Sequence, residues 1–225
     1  MIAALSLPAT GPVAGRTAEL ILLLGALALL PAALVTLTSF LKISVVLSIA
    51  RSALGAPQVP PATAVTTLAL LLTAVVMAPV AEEALAAARS APPGAGVARS
   101  LEAARRAAEP LRAFLSRHAR PDDRAAFLDV ARRLRAGPAS EPGPEDFAVI
   151  APAFVVSELR RAFTVGFLVF VPFLVVDLVV ANVLLALGLT QLSPTSVALP
   201  LKLLLFVAVD GWKLLARALA LSYAG

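Results

Sequence analysis

The feature that most constrains this chain is the uneven placement of its charged side chains. Residues 82–161 hold 24 of the 33 charges, although they are little more than a third of the 225 residues. Two apolar blocks therefore flank a charged central stretch, and 60% of all residues are hydrophobic. A soluble domain is about 45–50% apolar. The chain has more apolar surface than a water-facing fold can hide, so we expect it in a lipid bilayer or a large assembly.

The first apolar block predicts a helical hairpin over residues 20–81, preceded by an N-terminal segment, 1–19. Leu20–Leu41 is an uncharged run of 22 residues, enough for about 33 Å of helix and so for the hydrocarbon core of a bilayer. We expect this helix to continue to Leu54 and a second apolar helix to cover residues 62–81. Glycine and proline separate the two helices: Gly55, Pro57, Pro60 and Pro61.

The ends of this hairpin give weak information on its orientation. No basic residue precedes the first apolar run within Met1–Gly15, which argues against a cleaved signal peptide. Lys42 and Arg51 lie toward the tip of the hairpin with no acid nearby, which favours that side as cytoplasmic. The charged central stretch would then face the periplasm.

Residues 82–145 predict a small, soluble helical insert. Apolar residues recur at helical spacing over 97–119 and over 122–135, which indicates two amphipathic helices. We expect these two helices to pack on each other. The segments on either side of the pair are rich in proline and glycine, which is typical of linkers.

Residues 146–225 predict a second long hairpin. Asp146 is the expected N-cap of its first helix. The chain is apolar over 162–187 and, with few exceptions, over 197–221, and a short turn at 188–194 joins these two runs. The predicted fold class is therefore an all-α membrane protein in which two long hydrophobic helical hairpins flank a small helical insert.

Charged and polar side chains inside the apolar blocks are the candidate site residues, because charge at membrane depth is costly and usually partnered. The turn of the second hairpin lies midway between Asp177 and Lys202. Antiparallel helices therefore bring these two side chains to equal depth, about 19 Å from the tip. They can form an ion pair, either within the hairpin or with the same hairpin of a neighbouring subunit. Lys42, Asn182 and Asp210 are further candidates for buried polar groups.

The residues that most enzyme chemistry needs are absent from the sequence. There is no cysteine, no glycine-rich phosphate loop and no cluster with metal-ligand spacing, so neither a cofactor nor a metal is expected. His118 is the single histidine and stands between arginines, so we expect a solvated surface residue. The net charge of +5 comes with one Trp and one Tyr. Nucleic-acid binding is not expected, because side chains that stack on bases are scarce.

The same residues leave two other functions open. Asp177 and Asp210 could supply the carboxylate pair of an intramembrane aspartyl protease, but Val207-Ala208-Val209 stands where such proteases carry Gly-x-Gly before one aspartate. A small-solute transporter needs a binding site inside one chain, often built from repeated halves. The two hairpins show no clear internal similarity. We therefore expect a protein that is not an enzyme.

Three sequence blocks resemble the SctR/FliP family of type III secretion proteins. They cover both hairpins, and they are long and in the family's order: Phe40–Leu47 with Arg51–Gly55; Pro152–Phe163 with Pro172–Asp177; and Leu199–Leu203 with Val209–Trp212. The resemblance implies a core subunit of the export gate in the bacterial inner membrane, the channel through which unfolded substrate proteins cross.

The resemblance also implies the partners of such a subunit. It predicts a homo-pentamer that joins the SctS and SctT subunits in a cone-like gate, with the export apparatus proteins SctU and SctV as further partners. In the assembled gate the hairpins are expected to protrude into the periplasm rather than to stay in the bilayer. The residues that match Asp177 and Lys202 are expected to pair between neighbouring subunits.

A loop at the tip of the second hairpin is the expected seal of the pore. The family often carries methionines there, forming a flexible gasket, whereas this chain has Leu189, Thr190, Gln191 and Leu192. Leucine can still close a pore by packing, although the compliance of methionine is lost. The Leu192-Ser193-Pro194 sequence and the N-terminus favour a virulence-type injectisome over a flagellum.

Overall fold

The computed structural model describes residues 24–25, 28–29, 31–56, 60–92, 97–134 and 141–224. The N-terminal segment 1–19, and with it the question of a signal peptide, lies outside the described residues. Within them the structure contains helices and no strand, and the principal helices are α1 Phe40–Ala53, α2 Ala62–Arg89, α3 Val97–His118, α4 Pro121–Leu134, α5 Phe147–Ala186, α6 Pro194–Ala208 and α7 Gly211–Leu221. The expectation of an all-helical fold is confirmed.

The first apolar run is interrupted rather than continuous. Residues 31–36 are helical, the chain bends at 37–39, and α1 begins at Phe40. The Thr38 hydroxyl donates to the Leu34 carbonyl and accepts a hydrogen bond from the Phe40 amide at 3.2 Å. Because a threonine hydroxyl competes with the backbone for such partners, it favours a bend here. The prediction of one helix reaching Leu54 is wrong.

Two helices are long and apolar enough to cross a membrane among the residues described: α2, with 28 residues, and α5, with 40. The α2 helix continues through residue 81, where the sequence places the end of the hairpin, to Arg89. Asp146 occupies the N-cap position of α5 as predicted, but its carboxylate accepts from the Gly143 amide at 3.0 Å instead of a helix amide. The insert therefore shares the C-terminal end of α2 with the first hairpin.

The two helices of the insert are confirmed in position but not in packing. The α3 helix lies along α2, and α4 lies along α5. Phe114 and Leu115 of α3 pack with Ile150 and Phe154 of α5 in one buried cluster. The prediction that the two insert helices pack on each other is wrong, because the long apolar helices offer each of them a more apolar surface.

The main core is built where α1 packs between α2 and α5. Its members include Ile43, Val46 and Leu47 of α1, all fully buried. Gly166 permits the close approach of α5 to α1, because a Cβ atom at this position would lie 2.4 Å from Cδ1 of Ile49. The position of α1 relative to α5 determines what surrounds the polar side chains of both helices.

The C-terminal apolar run also contains a break. The α6 helix ends at Ala208, and Asp210 adopts a left-handed conformation with a φ of 52°, which aspartate tolerates better than most residues. The α7 helix then starts at Gly211, where a Cβ atom would lie 2.3 Å from the ring of Phe206. As a result the Phe206 and Trp212 rings meet edge to face, 5.1 Å apart.

Candidate functional site

The tip of the second hairpin is a short turn that begins with two backbone hydrogen bonds. Gly188 has a φ of 71°, its amide donates to the Leu185 carbonyl at 3.0 Å, and the Leu189 amide donates to the Leu184 carbonyl at 2.9 Å. This pair of bonds is the Schellman motif, which ends a helix with a left-handed glycine. After it, Ser193 is the N-cap of α6. The turn therefore sets the register in which α5 and α6 face each other.

The four predicted gasket residues follow this glycine. Leu189 is 43% exposed and Leu192 is 50% exposed. Thr190 and Gln191 are exposed as well. The single chain thus presents two leucines and two polar side chains together at its tip, and the role of these residues in a pore remains a prediction.

Asp177 and Lys202 meet within one chain, because α5 and α6 run antiparallel from the turn. The Lys202 ammonium lies 2.6 Å from Oδ2 of Asp177. It also donates to the carbonyl of Ala53 at 3.3 Å, at the C-terminal end of α1, where the partial negative charge of the helix favours a cation. Pairing of the same residues between subunits stays a prediction.

The two members of this pair differ in their surroundings. The Lys202 side chain is only 7% exposed, whereas that of Asp177 is 39% exposed. The lysine is therefore held inside the chain, and the carboxylate faces outward from the hairpin. This arrangement leaves part of a charged group on a surface that is otherwise apolar.

Lys42 belongs to a second, deeper ionic cluster. Its ammonium lies 3.4 Å from Oε2 of Glu158, a residue of α5 that is 0% exposed. Arg161, one turn further along α5, donates to Oε1 of the same carboxylate at 2.7 Å. One buried acid therefore holds two cations, and both its oxygens have partners, as a buried charge requires.

The segment that follows α7 completes this cluster. The Tyr223 hydroxyl donates to Oε2 of Glu158, and the Lys42 ammonium lies 3.5 Å from the centre of the Tyr223 ring. Burial, and after it the charge of Glu158, raise the pKa of Tyr223, so the phenol stays protonated and able to donate. Lys42, Glu158 and Tyr223 thereby join α1, α5 and the segment after α7.

His118 is buried against this cluster, so the prediction of a solvated histidine is wrong. It is 7% exposed, and its ring packs 4.6 Å from that of Phe114 and 5.0 Å from that of Tyr223. Burial lowers the pKa of His118. Its backbone carbonyl accepts a hydrogen bond from Arg161 at 2.7 Å, which links the end of α3 to α5.

A third polar contact fastens the turn between α3 and α4 to the same part of α5. The Ser157 hydroxyl donates to Oδ2 of Asp123 at 2.6 Å and accepts from the Arg120 amide at 2.9 Å. Ser157 is fully buried and Asp123 is 9% exposed. The insert is therefore held to α5 by specific hydrogen bonds in addition to apolar packing.

Sequence reasoning missed Glu158 as a site residue, because it lies at the end of the charged stretch and was counted with the solvated charges. A signal was available in its spacing. Ile150, Ala153, Phe154 and Ser157 precede it at helical intervals and form one buried face of α5. A carboxylate that continues such a face is buried, and a buried carboxylate needs a partner.

The other predicted polar residues lie outside both clusters. Asn182 and Asp210 are exposed on the single chain, and their burial against another subunit stays a prediction. Asp210 lies 3.4 Å from Lys213, and the Asp210 side chain is 67% exposed. Each of the two aspartates considered for a protease is therefore paired with its own lysine, Asp177 with Lys202 and Asp210 with Lys213. The described residues also contain no group of acids and histidines that could hold a metal ion.

The fold and the two ionic clusters define an all-α membrane protein whose charged groups hold helices together. Comparison with known proteins then gives its family. The chain belongs to the FliP family, whose model matches residues 23–219, and the resemblance to SctR/FliP proteins is confirmed. Neither the protease nor the transporter alternative receives support from this family.

Three relatives show how widely this family is spread. The chain is 42% identical over 210 residues to the hypersensitivity response secretion protein HrcR of Ralstonia nicotianae, covering 92% of this chain and 97% of that protein. It is 40% identical over 215 residues to the Yop proteins translocation protein R of Yersinia pestis, covering 92% and 96%. It is 45% identical over 207 residues to the flagellar biosynthetic protein FliP of Pectobacterium carotovorum, covering 91% and 78%.

Proposed function

We propose that this chain is a core subunit of a type III export gate and that several copies surround a channel for unfolded proteins. The observation that carries this proposal is the apolar outer surface of the second hairpin. Side chains that are more than 60% exposed cover both of its helices: Phe167, Leu168, Leu178, Leu185, Leu204 and Val207. A surface of this kind must be covered by lipid or by protein.

The position of Asp177 favours protein as the cover. Its side chain is 39% exposed at the middle of this apolar surface, and a carboxylate facing hydrocarbon is costly. A neighbouring copy can offer its own Lys202 to the exposed oxygen if that lysine turns out of the buried position that it holds in the single chain. Asp177 then binds between subunits, as the family resemblance implies, and the same contact repeats around a closed ring.

The ring proposed from the family is a homo-pentamer with SctS and SctT, and with SctU and SctV as further partners. The names of the relatives support a secretion role, since they are a secretion protein, a translocation protein and a flagellar biosynthetic protein. The two membrane-length helices support an inner-membrane location. Protrusion of the assembled gate into the periplasm is part of the proposal.

In this ring, the tips of the second hairpins form the constriction. Leu189 and Leu192 would exclude water from the closed pore, while Thr190 and Gln191 would line its edge. The type of system follows from the same loop, where Leu192-Ser193-Pro194 favours a virulence-type injectisome. Passage of substrates needs no catalytic residue in this chain, and energy comes from other components.

The pairing between subunits can be tested by exchanging charges between two chains. The variant Asp177→Lys has lysine at both positions, 177 and 202. The variant Lys202→Asp has aspartate at both positions. Each variant alone should fail to form the oligomer on a native gel. Expressed together, they restore opposite charges only across the boundary between different chains. Two kinds of chain can alternate at no more than four of the five boundaries of a pentamer, so we expect mixed oligomers to reappear in part.

Two controls make this result decisive. Glu83→Lys makes the same change of charge at an exposed position of α2, outside the second hairpin, and should leave assembly intact. The double variant Asp177→Lys, Lys202→Asp in one chain should also assemble. If the double variant assembles while the two-chain mixture forms no more oligomer than either single variant alone, the pair acts within one chain and the pairing between subunits is refuted. If the wild-type chain, expressed with its proposed partners, is recovered in mild detergent as a lone monomer, the result would instead contradict the gate itself and favour a transporter.

A further inference from the structure

A half-enclosed pocket of about 450 Å³ lies where α1, α3, α5 and α7 meet. Its volume is within the range of about 300–1,000 Å³ that small-molecule sites occupy. The pocket adjoins the Glu158 cluster but is a separate space, and neither the ion pairs nor the proposed channel uses it. Its lining contains both basic and apolar residues.

The basic residues of the lining are Lys42, Arg117, His118 and Arg161. Glu158 is the acid that pairs with this group, and it binds both Lys42 and Arg161. No described residue forms an ion pair with Arg117, which is exposed at the mouth of the pocket. With His118 neutral, three cations face one carboxylate, and an excess of two positive charges remains.

Arg161 still has hydrogen-bond donors to offer. Its Nη1 atom donates to Glu158 and to the carbonyl of His118, while no described residue accepts a hydrogen bond from its Nε or Nη2 atom. The side chain is 38% exposed. A guanidinium with a free edge matches two oxygens of a phosphate group.

The remaining lining is largely apolar: Val165, Leu215, Ala218 and Leu219. A free inorganic anion would gain nothing from these side chains. A phosphate ester with a hydrocarbon chain can use both kinds of residue, with its phosphate at Arg117 and Arg161 and its chain on Leu215 and Leu219. The pocket also lies at the junction of the charged insert with the apolar helices.

We propose that this pocket binds an anionic phospholipid, with Arg117 and Arg161 contacting its phosphate. Basic pockets between membrane helices on other proteins bind lipid phosphates in this way. The inference goes beyond the proposed function, because lipid binding requires neither the ring nor the channel. It would add a contact that stabilises the junction of α3 with α5 and α7.

Native mass spectrometry of the purified full-length chain in mild detergent tests the proposal. Phosphatidylglycerol and phosphatidylcholine are added in parallel, and the bound fraction of each is measured. We expect one phosphatidylglycerol per chain and clearly weaker binding of phosphatidylcholine. Arg117→Gln should weaken phosphatidylglycerol binding by about fivefold, the usual worth of one basic residue near an anionic lipid. Arg117 has no ion-pair partner among the described residues, so this variant should fold.

Arg105→Gln is the matched control. It removes the same charge from the same helix at an exposed position outside the pocket, and it should leave the affinity unchanged. Equal weakening by both variants would overturn the proposal, because only general charge attraction would then be at work. Equal binding of the two lipids would overturn it as well. Displacement of phosphatidylglycerol by millimolar inorganic phosphate would show a site for a free anion and also refute the lipid.

Discussion

The two halves of α5 differ in how much of their surface the single chain covers. Of the eleven buried residues in this helix, eight lie in 147–166 and three in 167–186. Residues of the first half pack against the insert helix α3 and against α1, as Phe154 and Gly166 do. In the second half Phe173 reaches the main core, and Val180 and Leu184 pack only with Ala198 of α6 and Val176. One helix therefore contains a segment that is complete within the chain and a segment that is not.

The ionic clusters on the two halves repeat this difference. In the first half, Glu158 is 0% exposed and has Lys42, Arg161 and Tyr223 as partners. In the second half, Asp177 has Lys202 and keeps 39% of its side chain exposed. The first cluster stabilises the fold of one subunit. The second is placed to contribute to assembly, and substitutions on the two halves should therefore have different effects.

The largest difference is expected between two phenylalanines of the same helix. Phe154 is fully buried in the first half, and Phe167 is 63% exposed in the second. Phe154→Ala should lower the free energy of unfolding by about 3–5 kcal/mol, because it leaves a cavity. Phe167→Ala should change it by less than about 0.5 kcal/mol. Denaturant unfolding of the full chain in detergent measures both values.

The exposed phenylalanine should matter for assembly although it hardly affects stability. If the second half is an interface, Phe167→Ala should reduce the oligomer on a native gel without lowering the unfolding midpoint. A Phe167→Ala chain that assembles like the wild type would mean that this part of α5 faces lipid or the channel. Equal losses of stability for both phenylalanines would contradict the comparison of the two halves altogether.

Replacement of the buried acid Glu158 should cause the second-largest loss of stability. Glu158→Gln leaves Lys42 buried without a counter-charge. We expect the free energy of unfolding to fall by at most about 3–5 kcal/mol, and by less if glutamine keeps some of the hydrogen bonds. Glu102→Gln is the control, because Glu102 forms a surface pair with Arg106 and its side chain is 41% exposed. That change should cost less than about 1 kcal/mol. Similar unfolding midpoints for the two variants would show that the Glu158 cluster contributes little.

The smallest expected effect is the change of stability with pH that His118 causes. Burial lowers the pKa of His118 below its usual 6.5, so the unfolded chain takes up a proton at a higher pH than the folded chain. The contribution of His118 to stability is therefore fully present above pH 6.5 and is lost as the pH falls through the pKa of the folded state. The unfolding temperature should fall over this window, and it should fall less in His118→Gln. An equal decline in both proteins would assign the pH dependence to other groups.

Local sequence patterns were enough to predict most helices of this fold. The insert helices appear at Val97–His118 and Pro121–Leu134, within two residues of the ranges read from apolar periodicity, because periodicity is a property of the segment itself. The left-handed glycine that ends α5 and the proline that starts α6 are equally local signals. The breaks at Thr38 and Asp210 were missed, since both stand in apolar runs whose hydropathy says nothing about the backbone.

The sequence by itself determined the membrane-protein class, the all-helical content, the equal depth of Asp177 and Lys202 and the family resemblance. These follow from spacing and composition along the chain. Only the tertiary structure decided that the insert helices pack on α2 and α5, that His118 is buried, and that Glu158 holds Lys42. Such facts depend on which faces of distant helices meet, and that choice is made by packing across the whole molecule rather than by any one segment.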